Sequence, residues 1–574
     1  MKIDSTLVLK TDFSTGKVGG RRMHWSEKIA KDIIKRSPDK EEYVCAAGIS
    51  PSGSIHIGNF RDIATSYFVY KALIKQGKKA RLLFSWDEFD RFRKVPVNVK
   101  EIAPELENEI GKPYVDVKDP YGCCSSYAEH FEKEFEASLS RFGVEVDFRR
   151  QSENYRSGKY AKYIIQAVQK RKEIFDILDK FRQQVATEEE REAYYPVSIY
   201  CPVCGKDETT IISSSEDGVT CEYTCKCGHK GTWDFSKDFN CKLAWKIDWP
   251  MRWMIEGVDF EPGGKDHASP GGSYDTSKII AKKIFGAQAP MFKGYEFVGI
   301  KGTTGKMSGS TGLNLTPDTL LKIYQPEMIL WLYSKSEPNK AFDFCFDDEI
   351  LRQYFEFDKM LKVYQAGKGK NYDYIEGIMH NCMIEGREIH PVPMQQIVNF
   401  GSVVDFNADM LETVFEKIGT PYKKEEFAAN IGPVNFIQDN ESKSSFGVLR
   451  GLHYQKGEHS QAKLVRVLKG EVLDVAVDLR KSSPTFGKHV CVLLSEENKR
   501  QFFIPRGFAH GFAVLSEEAV FTYKVDNKYA PQAEASILYN DETLGIDWPL
   551  AESQMLLSAK DREGTAFKDA AYFE

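Results

Sequence analysis

Apolar and polar positions change period several times along this chain. The run "YVCAAGI", just after Glu41, is almost continuously apolar and of strand length. After a Gly/Ser/Pro-rich turn, Phe60, Ile63, Ala64, Tyr67 and Phe68 recur at helical spacing until Gly77. A second apolar run, "ARLLFSW", follows at once, so the pattern predicts a strand–helix–strand unit in a parallel, doubly wound sheet. Residues 200–240 are short-period, strand-like and rich in cysteine, which marks an insertion. From about 345 to 420 the text is helical ("DDEILRQYFEFDKMLKVYQ", then "NADMLETVFEKIG" with Asn407 as candidate N-cap). After about 424 the period falls to two: "KLVRVLKGEVLDVAVDLR", "HVCVLLS", "HGFAVLS" and "AVFTYKV" predict an all-β sandwich or barrel. No Pro/Gly/Ser linker marks the change near 420–430.

At 574 residues the chain exceeds one ordinary domain and suggests roughly three or four compact units. Hydrophobic residues at 42% and charged ones at 28% provide several cores and argue against disorder. The net charge of −6 gives no global basic field, so a polyanionic partner would have to meet a local patch. The first residues lack an apolar core followed by a small-residue cleavage site, and no run reaches the ~18 apolar residues of a membrane span; a cytoplasmic location is expected. Of 12 cysteines, six fall between Cys201 and Cys241 and two are adjacent at Cys123 and Cys124, which reads as metal before disulfide.

The stretch "AAGISPSGSIHIGNFRD" sits at a predicted helix N-terminus, where unpaired N–H groups and the helix dipole favour phosphate. Gly53 and Gly58 would let a nucleotide approach the backbone, His56 would meet phosphate charge, and Asn59 would bond ribose or phosphate. The alternative, that His56 is only a helix cap, stays open on this stretch alone. Far downstream, "GTTGKMSGSTG" carries Lys306, Ser308 and Ser310 in a Gly-rich loop suited to a triphosphate.

Together "SIHIGN" and "KMSGS" resemble the paired signatures of class I aminoacyl-tRNA synthetases. "SWDEFDRFRKVP", "KLAWKIDWPMRWMIEGVDFEPGGKDHASPGGSYD" and "YEFVGIKGTTGKMSGS" are similar to class I lysyl-tRNA synthetase, over about residues 15–415. That resemblance implies a Rossmann-type catalytic domain, lysine, ATP with Mg2+, and tRNA-Lys as partners. It assigns Gly48, Ser50, Trp245, His267 and Tyr295 to lysine, and His56, Asn59, Lys306 and Ser308 to ATP. Many class I enzymes carry a second lysine where this chain has Gly309. Aromatic faces at Trp245 and Tyr295 suit an ammonium and its alkyl stem; equally, Trp245, Trp249 and Trp253 are read as core residues beside a sheet. Asp248 and Glu256 are further, unranked candidates.

"CPVCGK" and "CEYTCKCGHKG" place two thiolate clusters about twenty residues apart, a zinc-ribbon arrangement with Cys201, Cys204, Cys225 and Cys227 as ligands and Cys221 as substitute for Cys225. In "DPYGCCSSYAEH", Asp119, Cys123, Cys124 and His130 converge if a turn leads into a helix. The lysyl-tRNA synthetase resemblance implies a second zinc here, with histidine expected where this chain has Cys124.

"FIQDNESKSSFGVLRGLHYQ", "QAKLVRVLKGEVLDVAVDLRKSSPTFGK" and "ENKRQFFIPRGFAHGFAVLSEEAVFTYKV" resemble dTDP-4-dehydrorhamnose 3,5-epimerase over roughly 424–574. The family is a cupin-type jelly roll that dimerises and needs no cofactor. It implies His453 as base, Asp561 as its carboxylate partner, Tyr523 as acid and Lys463 as enolate stabiliser. Arg450, Gln438, Asn440, His510 and Tyr529 fall at its dTDP-sugar contacts. A cupin metal on His453, His459 and His510 is the competing reading.

The expected organisation is multidomain: a catalytic domain at 1–345 with its zinc-binding insertion at about 196–242, a helical segment at 346–422 that begins an anticodon-binding region, and the β domain at 424–574. Both families are cut short at the junction: the helical anticodon region stops near 420, and the epimerase's first strand segment is unmatched, leaving a sheet edge. The expected function is lysine–tRNA ligation with an epimerase-like domain. The competing outcomes are that only the epimerase is active, or that the chain binds tRNA or nucleotide-sugar without turnover.

Overall fold

The computed structural model describes residues 23–182, 186–269, 271–301, 315–346, 349–387, 389, 392–403, 408–419, 437–483, 485–498 and 500–573. Main-chain contacts divide the chain into two compact units, the first reaching Ile389 and including Pro393–Gln395, the second comprising His390–Val392 and everything from Gln396.

In the first unit α1 (Trp25–Arg36) precedes β1 (Tyr43–Ile49), α2 (Ile57–Lys75) and β2 (Ala80–Trp86). β3 is Asp147–Arg150, β9 is Phe260–Gly264 and β10 is Met291–Tyr295. These form one sheet in the order β10-β9-β1-β2-β3, parallel throughout, as the strand–helix–strand reading predicts. β1 is apolar along its length because both of its faces are covered. Cys45, Ala47 and Ile49 join the core beneath α2, while Val44 and Ala46 pack with Trp249, Trp253 and Val258. Packed against β1, α1 and the helix Pro326–Lys335, α2 is buried nearly all round. It ends where Gly77 adopts φ 73°, a left-handed turn that lets the Lys78 N–H reach the Leu73 carbonyl.

The cysteine-rich insertion stands on a two-stranded stalk, β4 (Val197–Ile199) against β8 (Cys241–Leu243). It carries an antiparallel sheet of β5 (Thr209–Ser214), β6 (Thr220–Cys225) and β7 (Lys230–Asp234). β11 (Val298–Ile300) pairs with β12 (Phe342–Phe344), and the predicted helical stretch opens with helices Glu349–Gln365 and Tyr372–Cys382.

The second unit contains a sandwich of two antiparallel sheets. The first runs β13 (Gln438–Ser445), β20 (Glu518–Val525), β15 (Lys463–Lys469), β18 (Gln501–Ile504). The other runs β17 (His489–Ser495), β16 (Glu471–Asp478), β19 (Phe508–Val514), β14 (Leu449–Gln455), β21 (Glu534–Ser536). Val465, Val467, Phe521 and Phe512 fill the space between the sheets, the alternation that the two-residue period demands. The register of β14 against β19 shifts between Arg450 and His453. Gly451 (φ 119°) sits at that bulge, where an added Cβ would lie 2.5 Å from the Gly511 Cα. Among the described residues, β13 and β18 are the terminal strands of their sheet.

Candidate functional site

The C-terminal ends of the parallel strands, with α2 and the helix Trp245–Glu256, enclose a cavity of 480 Å3. Gly48, Ser50 and Asn59 line it together with Trp245, His267 and Tyr295, so the residues assigned to lysine converge. Gly48 is close-packed: a Cβ there would lie 3.1 Å from the Ser85 carbonyl oxygen, and its N–H donates to Asp62 Oδ2 at 3.2 Å. The Tyr295 hydroxyl donates to the Asp62 carboxylate. Burial, with Glu261 nearby, lifts the Asp62 carboxyl well above the usual carboxylate range. Glu261, raised by burial, accepts from Trp253 Nε1 at 2.6 Å. Burial also lowers His267, keeping its imidazole neutral.

The tryptophan question resolves residue by residue. All three border the cavity, but Trp249 and Trp253 are buried in the core behind it, while Trp245 is only partly covered, stacks on Trp249 and carries the Arg252 guanidinium 5.2 Å from its ring centre. Arg252 ion-pairs with Asp87 at 2.6 Å and Asp248 at 3.2 Å. Asp248 itself lies behind the wall, whereas Glu256 lines it. The cavity's other carboxylates, Asp62, Asp87, Asp90 and Glu261, escaped the sequence reading. Their signal was local, since "SWDEFD" holds two of them.

His56 is the N-cap of α2: its Nδ1 accepts the N–H groups of Gly58 at 3.0 Å and Asn59 at 3.3 Å. Gly58 is required there, because a Cβ would come within 2.9 Å of the imidazole. His56, Gly53 and Gly58 are not part of the cavity wall. Lys306, Ser308 and Ser310 lie outside the described residues, as does Asn407.

Two clusters have the composition of metal sites. Cys201, Cys204, Cys225 and Cys227 bring their sulfurs within 4.8 Å of one another, with Cys201–Cys227 and Cys204–Cys225 both at 3.7 Å. These match the ~3.8 Å edge of a tetrahedron whose corners lie ~2.3 Å from a common centre. The alternative ligand Cys221 is buried in a core that the insertion shares with Tyr155 and Ile164, where desolvation pushes its thiol up to about 12. Asp119, Cys123, Cys124 and His130 also gather within 4.8 Å, because the helix Tyr127–Arg141 starts immediately after the turn. Burial acts to raise Asp119, but the N–H groups of Tyr121, Cys124 and Cys123 outweigh it and hold the carboxyl below its ordinary value.

In the second unit, His453 Nε2 lies 2.7 Å from Asp561 Oδ1. Asp561 is 1% exposed and also accepts from Gly451 N, Ser558 N, Ser558 Oγ and Arg450 Nη1. Burial would raise that carboxyl; the bonds from His453, Ser558 and Gly451 overcome it and hold it far below the carboxylate range. An ionised Asp561 makes Nε2 the protonated nitrogen, so the lone pair is on Nδ1, which has no hydrogen-bond partner among the described residues. His510, opposite His453 across β14 and β19, reaches both oxygens of Asp474 at 3.0 Å. Burial pushes Lys463 down to about 8 against the pull of Asp474. Tyr523 lies opposite Asn440 in the facing sheet, burial raising its hydroxyl. Gln438 donates to Asn440 at 2.7 Å, and Tyr529 to Glu534 at 2.6 Å.

Residues 23–384 match the family described as tRNA synthetases class I (K), and residues 417–569 match dTDP-4-dehydrorhamnose 3,5-epimerase. A lysine–tRNA ligase of Thermococcus kodakarensis is 46% identical over 342 residues, covering 60% of this chain and 64% of that protein. That of Treponema pallidum is 41% identical over 344 residues, with 60% and 64% covered. The chain thus spans a little under two thirds of the length of these relatives. A solved dTDP-4-dehydrorhamnose 3,5-epimerase from Elizabethkingia anophelis is 58% identical, covering 26% of this chain and 83% of its own, with a TM-score of 0.25. No described helix is long and apolar enough to cross a membrane.

Proposed function

The chain belongs to the class I lysyl-tRNA synthetases through residues 23–384, with a dTDP-4-dehydrorhamnose 3,5-epimerase domain over residues 417–569, and we propose that its first unit joins lysine to tRNA-Lys. Lysine attacks the α-phosphate of ATP, pyrophosphate leaves, and the lysyl group passes from the adenylate to the terminal adenosine of the tRNA. The observation that carries this reading is the cavity wall, where Ser50, Asp90 and Glu256 stand with Trp245 and Tyr295 around a space fit for a cationic amino acid. Asn59 and the N-terminus of α2 are assigned to the nucleotide, whose Mg2+-bound phosphates are met by His56, Lys306 and Ser308. A Rossmann-type domain at 1–345, an anticodon-side helical segment at 346–422 and a jelly roll at 424–574 complete the assignment, in a cytoplasmic chain.

Zinc fits both clusters: the Cys201–Cys204–Cys225–Cys227 sulfurs have tetrahedral spacing, and Asp119, Cys123, Cys124 and His130 provide O, S and N donors that zinc accepts. Its role is structural, closing an insertion ribbon with little core of its own.

The test is lysine-dependent exchange of labelled pyrophosphate into ATP by the full chain, with and without tRNA-Lys. Exchange specific to lysine and lost in Lys306→Ala is expected; no exchange from folded protein overturns the reading.

The His453–Asp561 pair favours a second activity in the same chain. His453 Nδ1 takes the proton next to the ketone of a dTDP-4-keto sugar, Lys463 stabilises the enolate oxygen, and Tyr523 returns a proton from the other face. Arg450, Gln438, Asn440, His510 and Tyr529 are assigned to the nucleotide-sugar, in a domain that dimerises. His453 is assigned as the base and not as a cupin metal ligand, its Nε2 held by Asp561 as that of His510 is by Asp474.

A further inference from the structure

The segment that follows β2 supplies Asp87, Asp90 and Arg93 to the cavity. Three consecutive residues of it are held from the cysteine-rich insertion. The Tyr200 hydroxyl donates to the Phe89 carbonyl at 2.7 Å, Lys242 Nζ lies 3.0 Å from Asp90 Oδ1, and Asp207 pairs with Arg91 at 2.9 Å. Tyr200 and Asp207 flank the Cys201–Cys204 pair, and Lys242 is in β8, the leg by which the insertion returns to the sheet.

Of the two ionic grips, Lys242 is the buried one, 7% exposed. Its ammonium bridges Asp90 and Asp248, 3.0 Å from each, above the Tyr155 ring. Desolvation would lower its pKa, but Asp248 and Asp90 outweigh it, so the lysine stays charged. The second oxygen of Asp90 accepts from Ser50 Oγ at 3.2 Å. With one oxygen tied to β8 and the other to the end of β1, the Asp90 carboxylate has a single orientation at the cavity wall. Removing Lys242 takes this cation from Asp90, which keeps its bond from Ser50, while Asp248 keeps Arg252.

We infer that Lys242 is a positioning residue for the amino-acid cavity: through it the insertion holds Asp90 against Ser50 and thereby sets the affinity for lysine. The inference rests on the reading of this cavity as the lysine site. It makes the insertion part of the substrate wall.

The experiment uses the full chain and titrates lysine calorimetrically, alongside KM for lysine and for ATP in pyrophosphate exchange, in Lys242→Met, Lys242→Gln, Asp90→Asn and the Lys242→Met/Asp90→Asn double variant. Lys242→Met is expected to weaken lysine about tenfold with KM for ATP within about twofold, and the double variant to be no weaker than Asp90→Asn, because both changes break one contact. Lys242→Gln, which keeps a donor without the charge, should fall between, and it replaces the methionine variant in the cycle if the latter does not fold. Folded Lys242 variants with wild-type lysine affinity, or losses that simply add, overturn the inference. A wild-type chain that binds no lysine overturns the reading of the cavity, and this inference with it.

Discussion

Replacing Asp561 by asparagine keeps its shape and removes its charge, and the geometry dictates which way the amide will turn. In the native arrangement Oδ1 receives two donors, His453 Nε2 and Gly451 N, while Oδ2 receives three, Ser558 N, Ser558 Oγ and Arg450 Nη1. Asparagine has one carbonyl oxygen, which satisfies more donors when it faces Ser558 and Arg450. Its NH2 group then faces His453 Nε2, which must give up its proton to accept. The proton moves to Nδ1, the nitrogen assigned as base, and the base is lost. Hydrogen bonds to charged groups contribute about 1.5–3 kcal/mol each. Losing orientation alone would therefore slow the reaction about 10- to 150-fold. The wrong tautomer removes the general base altogether, a loss of about 10²–10⁴-fold that already contains the loss of orientation. The assay is deuterium uptake from solvent into the carbons flanking the ketone of a dTDP-4-keto-6-deoxy sugar. A fall of two to four decades is expected, with dTDP affinity little changed; exchange within about threefold of wild type would refute the argument.

Two further outcomes concern His24 and Cys204 in the first unit. His24 is fully buried between Ser26 and the Ser334 carbonyl, and desolvation lowers its pKa to about 4 from 6.5. The native state binds the proton less tightly than the unfolded chain, so stability is complete above pH 6.5 and falls as pH drops toward 4, by at most about 3 kcal/mol. Amide exchange of α1 should accelerate over that window in wild type and lose its slope in His24→Gln. Changing Cys204 to alanine should remove one zinc per chain by elemental analysis and lower the melting temperature, whereas Cys221→Ala should keep full metal content; equal zinc loss in both would contradict the ligand set.

Much of this protein is legible without coordinates. The "YVCAAGI" run predicts a strand covered on both faces, the helical spacing from Phe60 to Phe68 predicts α2, and the two-residue period after 424 predicts a sandwich; each rests on local geometry that the backbone must obey. Cys225 and Cys221 mark where such reasoning ends. Both point to the same side of β6, so alternation treats them alike, yet four residues of strand separate them by about 13 Å. Only the residue at the hairpin end reaches the Cys201–Cys204 pair. Trp245, Trp249 and Trp253 likewise share one helical face, and sequence spacing cannot tell which ring stays partly open at the cavity and which are buried in the core behind it.

The chain's sequence by itself determined its elements, its two family memberships and the residue types of each site, because these depend on short-range spacing. Tertiary structure alone decided that Asp62, Asp90 and Glu261 meet around one cavity, that Lys242 holds Asp90 there, that His56 caps a helix, and that Asp561 selects the His453 tautomer. These partners are as much as 199 residues apart, as between Asp62 and Glu261, and the charge on each depends on what burial and its neighbours impose, which no local pattern encodes.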